Sequence, residues 1–198
     1  MENFILDVIS AESKSSLDPS VYKVNIHFPV RGKFNKYCLE LNAKINAVTK
    51  NWIKFDDYHI PHLTLAMGNI SSQDIKKLIS ILDLFCRGQR IQKISPLRPK
   101  ALNNEETYIL THIVEINEVL SVKKELNNLL GELVKPLRDD IVSTAHITVG
   151  YIEQQQRAVN KILAMQEAPP PWNADAIEIS FCGNKGVSFS PIKIFELI

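Results

Sequence analysis

Two short segments of this chain carry the same chemical equipment. His62-Leu63-Thr64-Leu65 and His146-Ile147-Thr148-Val149 each set an imidazole and a hydroxyl two residues apart, between aliphatic side chains. An imidazole titrates near neutrality, so one member of a pair can hold a proton while the other accepts one. A threonine hydroxyl can donate a hydrogen bond to an oxygen that gains negative charge. Two of each around one phosphorus could open a phosphodiester. One ring deprotonates the nucleophile, the other protonates the leaving oxygen, and the hydroxyls hold the non-bridging oxygens. No step in that scheme needs a metal.

The spacing says how the groups must be displayed. In a strand, residues i and i+2 share a face, so His62 and Thr64 point one way and Leu63 and Leu65 the other. His146 and Thr148 repeat this against Ile147 and Val149. Each strand then has an apolar back and a polar front, and the fronts are expected to line an open cleft, because unpartnered polar groups are costly to bury. The two rings should come within reach of one phosphate. A lone histidine in a strand is more often a satisfied core or surface residue. Two copies of the same His-x-Thr spacing are different, since chance supplies such a pair in only ~1% of shuffled sequences. His27, His59 and His112 lack the pattern and read as structural. Asp56, Asp57, His59 and His62 crowd into seven residues, but Pro61 breaks the helix that a helical His-pair zinc motif requires. No metal site and no cofactor is expected.

The elements that must position these strands follow from periodicity. Val21 to Pro29 alternates as a strand, and Phe34 to Lys50 carries a helical apolar stripe. The first histidine strand runs from about Ile60 to Met67. A helix follows over "SSQDIKKLISILDLFC", opened by serines that can cap it. "QRIQKIS" and "TYILTHIVE" read as strands separated by a loop with Pro96, Pro99 and "NNEE". Glu118 to Lys135 is amphipathic, the second histidine strand spans Ala145 to Tyr151, and "EQQQRAVNKILAMQ" suggests another helix. "APPPW" reads as a rigid linker. "AIEISFCGN" and "VSFSPIKIFELI" form a closing hairpin around "GNKG". Strand, helix, histidine strand, helix thus occurs twice, with His62 and His146 84 residues apart. The pattern predicts an internal duplication. The expected fold is α+β and bilobal. Two pseudo-symmetric, mostly antiparallel sheets carry helices on their outer faces, with the active cleft between the lobes.

Composition bounds the rest. The chain has 198 residues, 45% of them apolar and 23% charged, with a formal net charge of +1. Near-neutrality argues against an extended nucleic-acid binding surface, which needs a basic face, but leaves room for a pocket holding one phosphate. No segment is long and apolar enough to span a membrane. Cys38, Cys86 and Cys182 are far apart among apolar neighbours, which suits inert buried thiols and a reducing cytoplasm.

The doubled motif, HLTL at His62 to Leu65 and HITV at His146 to Val149, resembles that of the two-histidine phosphoesterase superfamily. "VNIHFP" is similar to that family's opening strand, "PHLTLAMG" to its first motif, and the C-terminal hairpin to its closing strands. The resemblance covers most of the chain and implies one domain, residues 1–198, built from two pseudo-symmetric lobes. It implies metal-independent phosphodiesterase activity on 2',3'-cyclic phosphates of RNA or nucleotides, with His62, His146, Thr64 and Thr148 as the catalytic set. Hydrolysis or formation of 2',5' linkages, as in the bacterial RNA 2',5'-ligases, is the enzymatic alternative. A non-catalytic module that binds RNA ends or nucleotides is the other. Tyr151 stands where many members of the ligase branch carry arginine. RNA ends or small nucleotides are the expected partners of a monomer. Tyr58 and Tyr151 are the candidates to stack on a base, with Phe55 and Trp172 behind them. Lys54, Arg98 and Lys100 could meet further phosphates, although solvated surface charge is the default for each.

Overall fold

In the computed structural model, which describes residues 20–56, 59–104, 107–114, 117–136, 145–153, 157–183 and 188–198, strand β1 (Val21–Pro29) leads to a turn at Gly32. The φ of Gly32 is 62°, a left-handed conformation that favours glycine. Helix α1 (Gly32–Asn46) buries Phe34, Cys38, Leu41, Asn42 and Ile45, one face at helical spacing. β2 (His62–Ser71) ends at a hydroxyl that accepts the Gln73 N–H, and a single 3₁₀ turn then feeds α2 (Ile75–Arg87). β3 (Gln92–Ile94), β4 (Lys100–Asn104) and β5 (Thr107–Ile113) precede α3 (Asn117–Leu130). Then come β6 (Lys135–Pro136), β7 (His146–Ile152), α4 (Arg157–Ala164), β8 (Trp172–Ala174), β9 (Ala176–Cys182) and β10 (Ser188–Glu196).

Every strand pairing among the described residues is antiparallel. The large sheet runs β10-β9-β1-β2-β7-β5-β4, with β6 also on β2, and β3 pairs β8 in a small second sheet. The fold is the expected α+β arrangement, and β1-α1-β2-α2 is repeated as β5-α3-β7-α4. The halves join where the two histidine strands meet, through the pair Leu63↔Ile147. Leu63, Leu65, Ile147 and Val149 are fully buried in the core behind that join. α1 packs on β7 and α3 on β2, so each half lends its helix to the other half's histidine strand.

The strands share an irregularity that strengthens the case for duplication. Between β1 and β2 the register slips at Ile26/His27, so that Leu65 has no partner on β1. Between β5 and β7 it slips at Leu110/Thr111, so that Val149 has none on β5. The two bulged residues are 84 positions apart, as are His62 and His146. A bulge shifts which residues face forward. Past it, Met67 and Tyr151 return to the half-buried face of His62 and His146.

Three expectations need correction. The stretch read as a loop between the middle strands contains β4, paired with β5 along its length. It is a polar edge strand behind Pro99, where alternation is weak. The helix expected to reach Lys135 stops at Leu130, because Gly131 takes a left-handed φ of 47° and a 3₁₀ turn leads into β6. Trp172, read at the end of a linker, opens β8. The closing hairpin β9–β10 is present, and residues 184–187 of its turn lie outside the described residues.

No described helix is long and apolar enough to cross a membrane. The three cysteines are free and buried, and burial pushes all three thiols up, Cys86 and Cys182 to about 12, so they are poor nucleophiles.

His112 is a core residue. It is fully buried against Phe34 and Tyr37, and its Nδ1–H donates to the Leu97 carbonyl at 2.8 Å. Burial lowers its pKa to about 4, outweighing that hydrogen bond, which raises it. Between the unfolded value of about 6.5 and about 4, the unfolded chain therefore binds a proton that the native protein refuses. Above that window both forms are neutral, so the stability is fully present there and is lost as pH falls. We expect the urea midpoint to drop from pH 7 to pH 4, by a stability loss of about 3 kcal/mol from this residue. The His112→Asn variant should lose less over the same range, and an identical slope in both proteins would contradict the assignment.

Candidate active site

The pair Leu63↔Ile147 points both side chains into the core, which turns their strand neighbours to the opposite face. An antiparallel ladder continued through that pair would set His62 opposite Thr148 and Thr64 opposite His146. In such a ladder the two histidines would be diagonal neighbours. All four side chains are half-buried.

His62 is the better defined ring. Its Nδ1 lies 2.9 Å from the Ile60 carbonyl, which can only accept, so Nδ1 carries the proton. Nε2 then faces Asn25 Nδ2 at 3.0 Å and Ser188 Oγ at 3.4 Å. In the neutral ring Nε2 is an acceptor. Asn25 is fully buried and its Nδ2 also donates to Thr64 Oγ1 at 3.2 Å, so one amide holds both polar groups of the first motif.

A third histidine stands behind. His27 pairs with Thr64 across β1–β2, and its ring centroid is 4.8 Å from that of His62. Its Nε2 is 3.6 Å from Glu178 Oε2, longer than a hydrogen bond. Glu178 Oε1 accepts from Arg31 at 3.1 Å, and Arg31 also meets Asp175 and Glu196. Burial alone would raise the Glu178 carboxyl, but His27 and the Arg31 guanidinium outweigh it and hold the pKa below its ordinary value. Asn25↔Ser180 and His27↔Glu178 are direct cross-strand pairs, which gives β1 and β9 a continuous polar face beside His62. Asn25 Oδ1, both His27 nitrogens, Ser180 Oγ and Glu178 Oε2 are buried there without a hydrogen-bond partner. Such a cluster is uncommon in a core.

Sequence reasoning missed Asn25, His27, Ser188 and Glu178. Their one legible signal was polar residues on an apolar strand: Asn25 and His27 interrupt β1 as His62 and Thr64 interrupt β2.

A short segment, residues 51–53, borders the strand of the second motif. Asn51 bridges to Ile152, and Trp52 N–H donates to the Tyr151 carbonyl at 2.9 Å, so residues 51–53 run antiparallel along β7. Ile53 is buried, and the Trp52 backbone lies against that of Tyr151. Trp52 is 50% exposed, with Lys50 Nζ 4.9 Å from its ring centroid. Trp172 is a core residue, 5% exposed and stacked on Phe34, and Phe55 packs against the core. Lys54, Arg98 and Lys100 are solvent-exposed. Tyr58 and Asp57 lie outside the described residues. His59 Nδ1 bonds Asp56 at 2.8 Å, and among the described residues no three His, Cys, Asp or Glu side chains group as metal ligands.

No protein-family model and no curated protein sequence matches the chain. Solved structures do. TT0787 of Thermus thermophilus aligns at 15% identity with a TM-score of 0.59, over 88% of this chain and 97% of that one. LigT of E. coli, complexed with phosphate, aligns at 12% identity with a TM-score of 0.61, over 90% and 98%. The same protein complexed with 3'-AMP aligns at 14% identity with a TM-score of 0.60, over 88% and 97%. The chain therefore has the fold of the two-histidine phosphoesterases.

Proposed function

We propose that this protein is a metal-independent phosphodiesterase that opens 2',3'-cyclic phosphates of RNA ends or nucleotides. The observation that supports the reading is the Leu63↔Ile147 pair, which makes the two His-x-Thr strands neighbours in one sheet. Water attacks phosphorus as one imidazole takes its proton. The bond from phosphorus to one ribose oxygen breaks as the other imidazole protonates that oxygen. Thr64 and Thr148 donate to the non-bridging oxygens, where charge builds. The Nδ1 bond to Ile60 fixes which atom of His62 takes part. Nε2 is a lone pair when the ring is neutral and an N–H when it is charged, so it serves as base or acid according to the direction of reaction.

Trp52 and Tyr151 support a nucleoside-bearing substrate, because an exposed ring beside the second motif offers a face on which a base can stack. Trp52→Ala should raise KM about 5- to 150-fold, the range of one lost base–aromatic stack, with a smaller change in kcat. An unchanged KM for a nucleoside cyclic phosphate would remove Trp52 from the substrate site.

The reading is tested by incubating the protein, in excess chelator, with 2',3'-cyclic nucleotides, an RNA ending in a cyclic phosphate, and 2',5'-oligoadenylate. Conversion of the cyclic phosphates to monoesters supports it. Cleavage of the 2',5' linkage alone assigns the 2',5' reaction, and tight binding without turnover assigns a nucleotide-binding module. Activity lost in chelator and restored by a divalent cation would contradict the metal-free mechanism.

A further inference from the structure

The bulges in the two histidine strands leave Leu65 and Val149 without partners on their neighbours β1 and β5, immediately after Thr64 and Thr148. Their carbonyls are not left bare. Asn127 Nδ2 on α3 donates to the Leu65 carbonyl at 2.9 Å, and Asn42 Nδ2 on α1 donates to the Val149 carbonyl at 2.8 Å. Each asparagine stands ten residues after the first residue of its helix. Each reaches across to the other half: α1 follows β1 but holds β7, and α3 follows β5 but holds β2.

The residue type is dictated. A primary amide has two N–H groups. Asn42 gives its second donor to the Ile53 carbonyl at 3.0 Å and Asn127 to the Lys123 carbonyl at 2.7 Å. All four acceptors are backbone carbonyls, so the orientation of each amide follows. Aspartate has no donor to replace it, and leucine has the volume but no N–H.

We propose that Asn42 and Asn127 are reciprocal positioning residues, each fixing the bulge that aims the His-x-Thr pair of the opposite half. The physical reason lies in the period of a strand. Without its amide, the bulged carbonyl is a buried acceptor with no donor, which is costly. The relief open to the strand is to re-register by one residue, and a one-residue slip turns side chains to the other face. The amide holds the bulge, so His62 and Thr64 stay on the face of Met67, and His146 and Thr148 on that of Tyr151. Half of the site is thus held by the other half's helix. The kinetic part of this inference rests on the proposed phosphodiesterase reading, while the positioning itself does not.

The experiment is a ¹³C–¹H spectrum of the imidazoles in Asn42→Ala, Asn42→Leu, Asn127→Ala and Asn127→Leu, assigned with His62→Ala and His146→Ala. The expected result is crossed. The Asn42 variants move His146 more than His62, and the Asn127 variants move His62 more than His146. Leucine restores volume but not the shift, since the donor is what matters. With a confirmed substrate, kcat should fall about 100-fold, the scale of an ångström-sized misplacement, with KM little changed. If Asn42→Ala fails to fold, the half-exposed Asn127 gives the decisive pair of variants. Shifts confined to the histidine of the same half, equal shifts in both, or none would overturn the proposal. A wild-type protein inactive on every substrate would fail the proposed function and leave the crossed shifts to decide this one.

Discussion

On the proposed function, His62→Ala and His146→Ala are each expected to lower kcat on a 2',3'-cyclic nucleotide by about 10²- to 10⁴-fold, the span of one lost acid–base role. The expected loss is in kcat and in kcat/KM together, because proton transfer is made in the transition state. Both rings are half-buried on the polar face, so the thermal midpoint should stay close to that of the parent protein. The double variant should lose little more than either single one, since the rings act as a unit. Thr64→Ala and Thr148→Ala remove one hydrogen bond rather than a proton partner and should be milder. Steady-state kinetics on the four single variants and the double settle this. A histidine variant with near-normal kcat would end the paired role.

Gly68→Ala carries the largest expected loss of stability. A Cβ there would stand 2.3 Å from the Lys135 carbonyl oxygen and 2.7 Å from Val134 Cγ1. The nearest obstacle is backbone, which has no rotamer to yield, and Gly68 is where β6 pairs with β2. The methyl must expel β6 or bend the first histidine strand. We expect a cost of about 3 kcal/mol, at the upper end for an overpacked site, read from urea unfolding. Gly150→Ala is the comparison. Its Cβ would stand 3.0 Å from the Asn51 side chain, whose Oδ1 accepts from the Tyr151 and Ile53 N–H groups, so the obstacle is a side chain rather than backbone and the cost should be smaller. A Gly68→Ala protein as stable as its parent would mean that β6 does not press on β2.

How much of this was legible in the sequence depends on the range of each signal. The histidine strands were legible because alternation is local: Leu63, Leu65, Ile147 and Val149 mark the back, and their polar neighbours mark the front. The duplicated order of elements followed from the same periodicities. Asn25 was not legible as a partner of His62, because 37 residues separate them and only the β1–β2 pairing brings them together. The bulges were hidden too. A strict period of two puts Ala66 and Gly150 on the front, whereas one extra residue per strand puts Met67 and Tyr151 there. Trp52 gave no signal, because it lies outside the named strands and is brought beside Tyr151 only by a long-range backbone hydrogen bond. β4 and β6 were lost for a simpler reason. A short polar edge strand, and a Lys–Pro pair, carry no alternation.

Whether His62 and His146 hold one phosphate between them is decided by titrating the imidazole signals with a nucleoside 2'-monophosphate and a nucleoside 3'-monophosphate, with chelator present. Both rings should shift along one saturation curve, with one midpoint for each nucleotide, and His62→Ala should weaken the response of His146. A bound nucleotide that moves one ring and leaves the other unchanged, or moves neither, would contradict it.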